Sequence, residues 1–585
     1  YRAAHSSYFD ATVLAGLTQW PPASDTSAAA DYFRANAPGD NLLGYLRGQF
    51  GHELGRLTVP TTPDNQQFFR NRTSVMGDAL ESQPAFLGAP VFSYPYPGYI
   101  QFKTAQSGRI GIVYMGTNDG MLHAFNSSNG VERWAYVPSM VIPNMWKLAD
   151  QNYQNLHTNY VNGSPITSDV CTANCANAVT GTSTDPVWKT ILVGGLNGGG
   201  RGYYALDITD PTAPKLLWEF TTTAGNGSTK DDDLGYTYGQ AIITQRTDGR
   251  WVVAVTSGYN NGNTGPTLAA QSPAGTGIGY LFVLDAGTGQ LLSKISTGAG
   301  TAGNPSGLAK IGGFNADPGG NKVSYIYGGD LLGNLWRFDI NDPASAAIGT
   351  GSVLKFATLF SNAGATVSQP IMTTPVLGTI LGKRVVFVGT GKYLEPSDLA
   401  TTQKQTQYAI KDDNVTATIV NPRTQATMVQ QYLIDNPDGT STRLSAASAS
   451  ATAQGSNTVN FGVNLGWFVD FPSSGERANI DAALIQGTLL VPTIVPASSS
   501  CSPGGFGWLN FLDYSTGASV VTPGLSGVRV DATIVGLNVL YISGNPVVEV
   551  VSSTNPTPTI VPGVQFAATA AGFAGQRVQW RELLQ

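Results

Sequence analysis

Histidine and cysteine are nearly missing from this 585-residue chain, with four of the first and three of the second. The histidines His5, His52, His123 and His157 are widely scattered, so neither a zinc cluster nor a Ser-His-Asp grouping can be assembled from neighbours in sequence. Charge is scarce too, at 12% of residues with a net of −6, which supplies no broad attraction for phosphate backbones and speaks against nucleic acid. No run approaches about 18 consecutive apolar residues, so no helix is expected to span a bilayer. The longer apolar runs, such as Val385–Val388 and Leu489–Val491, have strand length. Neither a Gly-x-Ser-x-Gly elbow nor a Walker loop occurs. Gly298-Ala-Gly-Thr-Ala-Gly303 matches a dinucleotide pattern, but Asn304-Pro305 follows where a helix is required; with 70 glycines the match is chance.

Glycine is what the chain has in excess, and hydrophobic residues at 42% suffice for a large core. One pattern recurs: an apolar run, a glycine-rich turn, then alternating aromatic and aliphatic residues ending at Asp or Asn. Ile112–Asn126 is the clearest copy. Others run Ile191–Asp207, Val252–Asp285 and Tyr325–Asp339, with looser ones at Val385–Asp412 and Leu489–Asp513. Each reads as two antiparallel strands, several with an outer strand such as Leu216–Phe220, and that is the content of a propeller blade. A seventh blade is expected from both ends, Gln83–Gly88 and Arg577–Glu582, stapling the fold shut.

The expected fold is therefore all-β: a modified seven-bladed β-propeller, quinoprotein-like, with long loop and short-helix insertions. Residues 1–78 read as a lead-in with helices over Ala28–Asn36 and Asp40–Gly48, and 79–585 as the propeller. The larger insertions are placed at 144–158, 413–448 and 535–563; loops of this kind usually carry function.

Cys171 and Cys175 lie in a polar loop at a spacing that favours a local disulfide over half a zinc site, leaving Cys501 unpaired. The opening at Tyr1 without signal-peptide features reads as a mature or trimmed product. Low lysine and abundant Thr, Ser, Gly and Asn fit a secreted surface protein.

The wording of the repeats resembles the C-terminal propeller domain of the PilY family, type IV pilus biogenesis factors and tip-associated adhesins. The resemblance is carried by Met76–Pro84, Gly116–Phe125, Asp232–Gln240, Gly329–Asp339, Gly389–Tyr393, Cys501–Trp508 and Trp580–Leu583. It implies export through the periplasm to the pilus tip or cell surface. The implied partners are minor pilins of the tip complex and a host or abiotic surface ligand. The implied roles are assembly, retraction control, twitching and adhesion without catalysis. Family members commonly precede this region with a von Willebrand A-like domain; Asp25–Ala29 lacks the second serine of its metal motif.

The resemblance also implies a Ca²⁺ loop, which falls on Asn315, Asp317 and Asn321. Only Asp317 is anionic there, Lys322 follows, and hard Ca²⁺ takes six to eight oxygens, so the loop is a degenerate one. The family's Arg-Gly-Asp triplet is absent, since Gln49 follows Arg47-Gly48. The enzymatic rival is a periplasmic quinone-dependent oxidoreductase, whose docking repeat Phe125–Trp134 resembles. No Cys-Cys pair or Glu/Asn/Asp cation triad supports it, and the repeat is expected to report blade packing. His123 reads as structural, Lys230–Asp233 as a solvated turn, and Tyr94–Tyr99 as either a contact patch or a rigid Pro-rich loop.

Overall fold

The computed structural model describes residues 3–55, 67–222, 228–262, 275–317, 319–341, 352–438, 440–497, 504–521 and 523–566. The chain divides into two compact units. The first is Tyr1–Ile243 with Asp285–Gln290, and the second is Thr244–Leu284 with Leu291–Gln585.

In the first unit Ser27 caps the helix Ala28–Asn36 by accepting from Ala30 N, and a second helix covers Asp40–Leu46. Their apolar faces join Phe9, Phe68 and Phe69 in one core with Leu87, Tyr114 and Leu192 of the sheets. Sheet A runs Ala85–Leu87, Ile112–Gly116, Leu122–Asn126 and Glu132–Tyr136, all neighbours in chain order. Sheet B repeats that meander over Ile166–Ala173, Val187–Gly195, Gly202–Asp207 and Lys215–Thr221, adding Ser228–Lys230 in parallel.

Sheets C to F fall in or almost wholly in the second unit. Sheet C is Ile242–Gln245, Trp251–Thr256, Tyr280–Asp285 and Leu291–Ser296. Every residue of Trp251–Thr256 is buried, which is why its apolar residues run without alternation. Sheet D is Ile311–Asp317, Lys322–Gly329, Asn334–Asp339 and Ser352–Thr358, extended by the parallel strand Ile419–Val420.

Sheet E has ten strands. One end is Val376–Ile380, Lys383–Gly389, Thr406–Asp412 and Gly466–Asp470; the other is Gly527–Val530, Gly505–Asp513, Thr488–Pro496 and Ala483–Ile485. Met428–Asp435 and Thr442–Ala446 join the two ends. Met428–Gln431 pairs in parallel with Gly466–Val469, while Tyr432–Asp435 pairs with Arg443–Ala446. Thr442 and Arg443 then face Val528 and Gly527. Sheet F is a separate three-stranded meander, Ile534–Ile542, Asn545–Ser552 and Asn555–Ile560.

The fold is an all-β propeller, but the expectation of seven blades is corrected: the described residues carry five, sheets A to E. Two physical causes account for the difference. The insertion at 413–448 supplies strands that weld the fifth and sixth repeat copies into one sheet. The early half of the expected seventh blade is an edge strand of sheet A, where Ala85–Leu87 pairs with Ile112–Tyr114. Its other half, Arg577–Glu582, lies outside the described residues.

Tryptophans whose ring N–H groups donate to turn or loop carbonyls explain the docking-like repeats. Trp218 Nε1 donates to Ala286 O at 3.1 Å, within the turn Asp285–Gly289 that belongs to the same unit. Trp467 Nε1 donates to Tyr514 O at 3.0 Å in the matching turn Asp513–Gly517, and Trp134 Nε1 to Pro211 O at 2.8 Å. Asp285 and Asp513 each fold their turn by accepting from the backbone N–H groups two and three residues on. Gly289 and Gly517 have φ of +69° and +70°, and a Cβ on either would sit 2.4 or 2.5 Å from the tryptophan ring. Only glycine allows the ring to lie flat on the turn.

Candidate functional site

The expected Ca²⁺ loop is the hairpin between the first two strands of sheet D. Asn315 faces Val323 and Asp317 faces Lys322 across it. Asn321 turns the chain at φ +50°, and its carbonyl accepts from Gln245 N at 3.0 Å and from Thr244 Oγ1 at 2.7 Å. Thr244 Oγ1 accepts in turn from Val323 N, and Asn341 Nδ2 donates to Val323 O. The Asn321 carbonyl that a cation would take is thus saturated by two donors, and Asp317 is the loop's one anionic residue. This donor set does not fit Ca²⁺. What the hairpin does in this geometry is clasp sheet D to the first strand of sheet C.

Beside the hairpin, Arg384 and Arg337 lie over the Tyr325 ring, at 4.5 and 4.9 Å from its centroid. Both arginines reach the buried Asp412 of sheet E, Arg337 Nη1 at 2.8 Å to each carboxylate oxygen, and Tyr327 donates to the same group. Burial and the Asp412 charge hold the Tyr327 phenol far above its ordinary range, so it is a fixed donor.

In the first unit the structure joins Cys171 to Cys175, whose Cα atoms are 5.7 Å apart. Cys171 pairs across sheet B with Trp188, and Trp188 organises the Tyr94–Tyr99 segment. Its Nε1 donates to Pro97 O at 2.8 Å, Tyr99 packs on it at 4.8 Å, and Tyr94 and Tyr96 stack near-parallel to it. Tyr94 and Tyr99 are buried, so this is a Pro-rich loop held by its own aromatics. Cys501 lies outside the described residues.

His123 is buried between two carboxylates. Its Nδ1 is 2.6 Å from Glu132 Oε1, and Nε2 is 3.0 Å from Asp119 Oδ2. Burial opposes its positive charge, but the bonds to Asp119 and Glu132 outweigh this and hold the imidazole above its ordinary pKa. Asp119 likewise resists burial and stays below the carboxylate range, through His123, Thr117 and Gly77 N–H. Gly77 N donates to Asp119 Oδ2 at 2.9 Å and Asn118 N to Asp78 O. Two of the sequence signatures, Met76–Pro84 and Gly116–Phe125, therefore meet at this histidine. The sequence reading kept His123 as structural but missed Asp119 and Glu132; the four-residue spacing from Asp119 was the available signal.

Lys230 ends the strand Ser228–Lys230 and pairs with Asp232 at 3.0 Å at the surface, while Asp231 N donates to Thr221 O and Asp233 is buried. Among the described residues no group of three or more His, Cys, Asp or Glu side chains is placed to hold a metal.

Successive antiparallel sheets, with tryptophans lying on Asp-x-x-Thr-Gly turns, define the chain as a β-propeller protein. The chain belongs to the PilY1 β-propeller domain family, whose model matches residues 76–447. The type IV pilus biogenesis factor PilY1 of Pseudomonas aeruginosa strain PAK is 32% identical over 527 residues, covering 83% of this chain and 41% of that protein. A PilY1 homolog of Xylella fastidiosa is 30% identical over 579 residues, covering 93% of this chain and 41% of that protein. The chain thus spans about two-fifths of these relatives. The crystal structure of the P. aeruginosa PilY1 C-terminal domain superposes with a TM-score of 0.58 at 27% identity, covering 82% of this chain and all of that domain.

Proposed function

We propose that this chain serves type IV pilus biogenesis as a non-catalytic protein of the pilus tip. It binds minor pilins on one side and a host or abiotic surface ligand on the other, and so supports assembly, retraction control, twitching and adhesion. The observation that carries this reading is the family match over 76–447 together with 32% identity to a named pilus biogenesis factor. The Cys171–Cys175 disulfide supports export, because such bonds persist in oxidising compartments such as the periplasm and cell surface. No described helix is long and apolar enough to cross a membrane. The physical basis would be long loops held on stiff sheets, recognising partners by shape and hydrogen bonding with no covalent chemistry on the ligand.

The test is deletion of the gene in the native cell, followed by counts of surface pili and measurement of twitching zones. Loss of both, restored by the intact gene, is expected. Normal piliation and twitching in the deletion strain would contradict the reading.

A further inference from the structure

Gln369 and Thr406 are wholly buried in the second unit, Gln369 ahead of the first strand of sheet E and Thr406 opening its third. The Gln369 amide Nε2 donates to Thr406 Oγ1 at 2.8 Å and to Lys404 O at 2.9 Å. Its carbonyl Oε1 accepts from the Tyr408 hydroxyl at 2.8 Å. Thr406 Oγ1 donates to Asp470 Oδ1 at 2.7 Å. Arg423 Nη2 donates both to Thr406 Oγ1 at 3.0 Å and to Asp470 Oδ1 at 2.7 Å.

This arrangement holds the parts of an acyl transfer. A hydroxyl is bonded to a carboxylate able to take its proton, and a cation sits over the developing alkoxide. The acyl carbon is one covalent bond from the amide nitrogen that the hydroxyl already touches. A phenol donor stands on the oxygen where negative charge would collect. Burial, partly offset by Arg423, pushes the Tyr408 pKa up to about 12, which keeps that phenol a donor at neutral pH.

We propose that Thr406 and Gln369 become joined by an intramolecular ester that the protein forms on itself. A rotation of the Gln369 side chain presents Cδ to Thr406 Oγ1. The Oγ1–Cδ bond forms as Asp470 takes the hydroxyl proton, and the carbonyl electron pair moves onto Oε1 against Tyr408. Collapse of this intermediate breaks the Cδ–Nε2 bond, and the nitrogen takes the proton back from Asp470 to leave as ammonia. A hydroxyl and an amide thus give an ester and ammonia, with no oxidant, reductant or water consumed. Escape of ammonia drives the step, and the full burial of Gln369 and Thr406 protects the ester from hydrolysis. The bond ties the segment before sheet E to the strand Thr406–Asp412, stiffening one blade against pulling.

The experiment is mass spectrometry of the folded, purified full chain after reduction. The intact mass is expected to be lighter than the sequence mass by one ammonia. Trypsin cuts after Lys355, Lys383, Lys404 and Lys411 and should leave peptides 356–383 and 405–411 as one linked species that hydroxylamine separates. Thr406→Val should return the full sequence mass, and Thr406→Ser should again lose ammonia. A wild-type chain at its full sequence mass, giving the two peptides separately, would overturn the proposal and leave a hydrogen-bond network only. An ammonia loss that persists in Thr406→Val would overturn it equally, because the loss would then arise elsewhere.

Discussion

Arg443 meets Glu476 in a two-bond fork, Nη1 to Oε1 and Nη2 to Oε2 both at 2.7 Å, and neither side chain is exposed to solvent. Arg443 comes from the strand that welds the two ends of sheet E, and its guanidinium lies 3.8 Å from the Trp508 ring centroid. Further bonds from Arg443 to Asn510 Oδ1, Ser473 Oγ and, through Nε, Asp435 Oδ1, and from Thr493 Oγ1 and Ser473 N to Glu476, satisfy the remaining polar atoms. A buried pair so fully bonded fixes which strand edges meet, because any slip in register would strand a charge in the core.

Removing one partner should therefore be severe. Glu476→Gln or Arg443→Met alone is expected to cost about 3–5 kcal/mol, read from urea unfolding followed by tryptophan fluorescence. Replacing both together with Met and Leu should recover much of that loss, since no charge is then left unpaired. Equal losses in the single and double variants would show that the pair contributes only its packing.

The tryptophan turns give a cleaner comparison. Gly517 and Gly382 have nearly the same φ, +70° and +72°, but a Cβ at Gly517 would meet the Trp467 ring while at Gly382 it meets nothing within 4 Å. Gly382→Ala should cost about 1 kcal/mol for the left-handed backbone alone. Gly517→Ala should cost clearly more, with a shift in Trp467 fluorescence that the other variant lacks. Equal costs would mean that Trp467 does not need the bare turn.

Stability should depend on the charge of His123. Its folded pKa is raised, so the stabilisation is complete below about pH 6.5, the unfolded value, and is lost as pH rises through the folded value. Melting temperature followed upward from about pH 6 should fall over that window, and His123→Gln should flatten the fall. The facing charged groups are Asp119 and Glu132, with Asp78 and His157 paired close by. Asp119, whose pKa is lowered, acts in the opposite direction, its contribution being lost only in acid. A pH profile identical in wild type and His123→Gln would contradict this.

The Cys171–Cys175 bond closes a very short loop, so the chain-entropy model allows it only about 2 kcal/mol. Cys171→Ser with Cys175→Ser is expected to lower unfolding free energy by no more than that and to leave the sheets intact by circular dichroism. Collapse of β structure in the double variant would assign the bond a larger role.

Much of this molecule was legible in the residues. The six repeat copies fall on paired strands of sheets A to E, because alternation and glycine turns are local properties. The weld between copies five and six was not legible: nothing local in Met428–Asp435 states that half of it pairs with Gly466–Val469 and half with Arg443–Ala446. The same limit hid Glu476 from Arg443, and Gln369 from Thr406, since partners so far apart in sequence are chosen by the folded sheets. Asn315, Asp317 and Asn321 could be placed from sequence, but only the fold reveals that the Asn321 carbonyl is already taken by Gln245 and Thr244.

The most direct test of the pilus reading is to shear pili from the native cell and label this chain with gold-conjugated antibody in the electron microscope. Gold concentrated at filament ends, with minor pilins co-purifying, is the result the account requires. Label confined to the periplasm, or absent from purified pili, would contradict it.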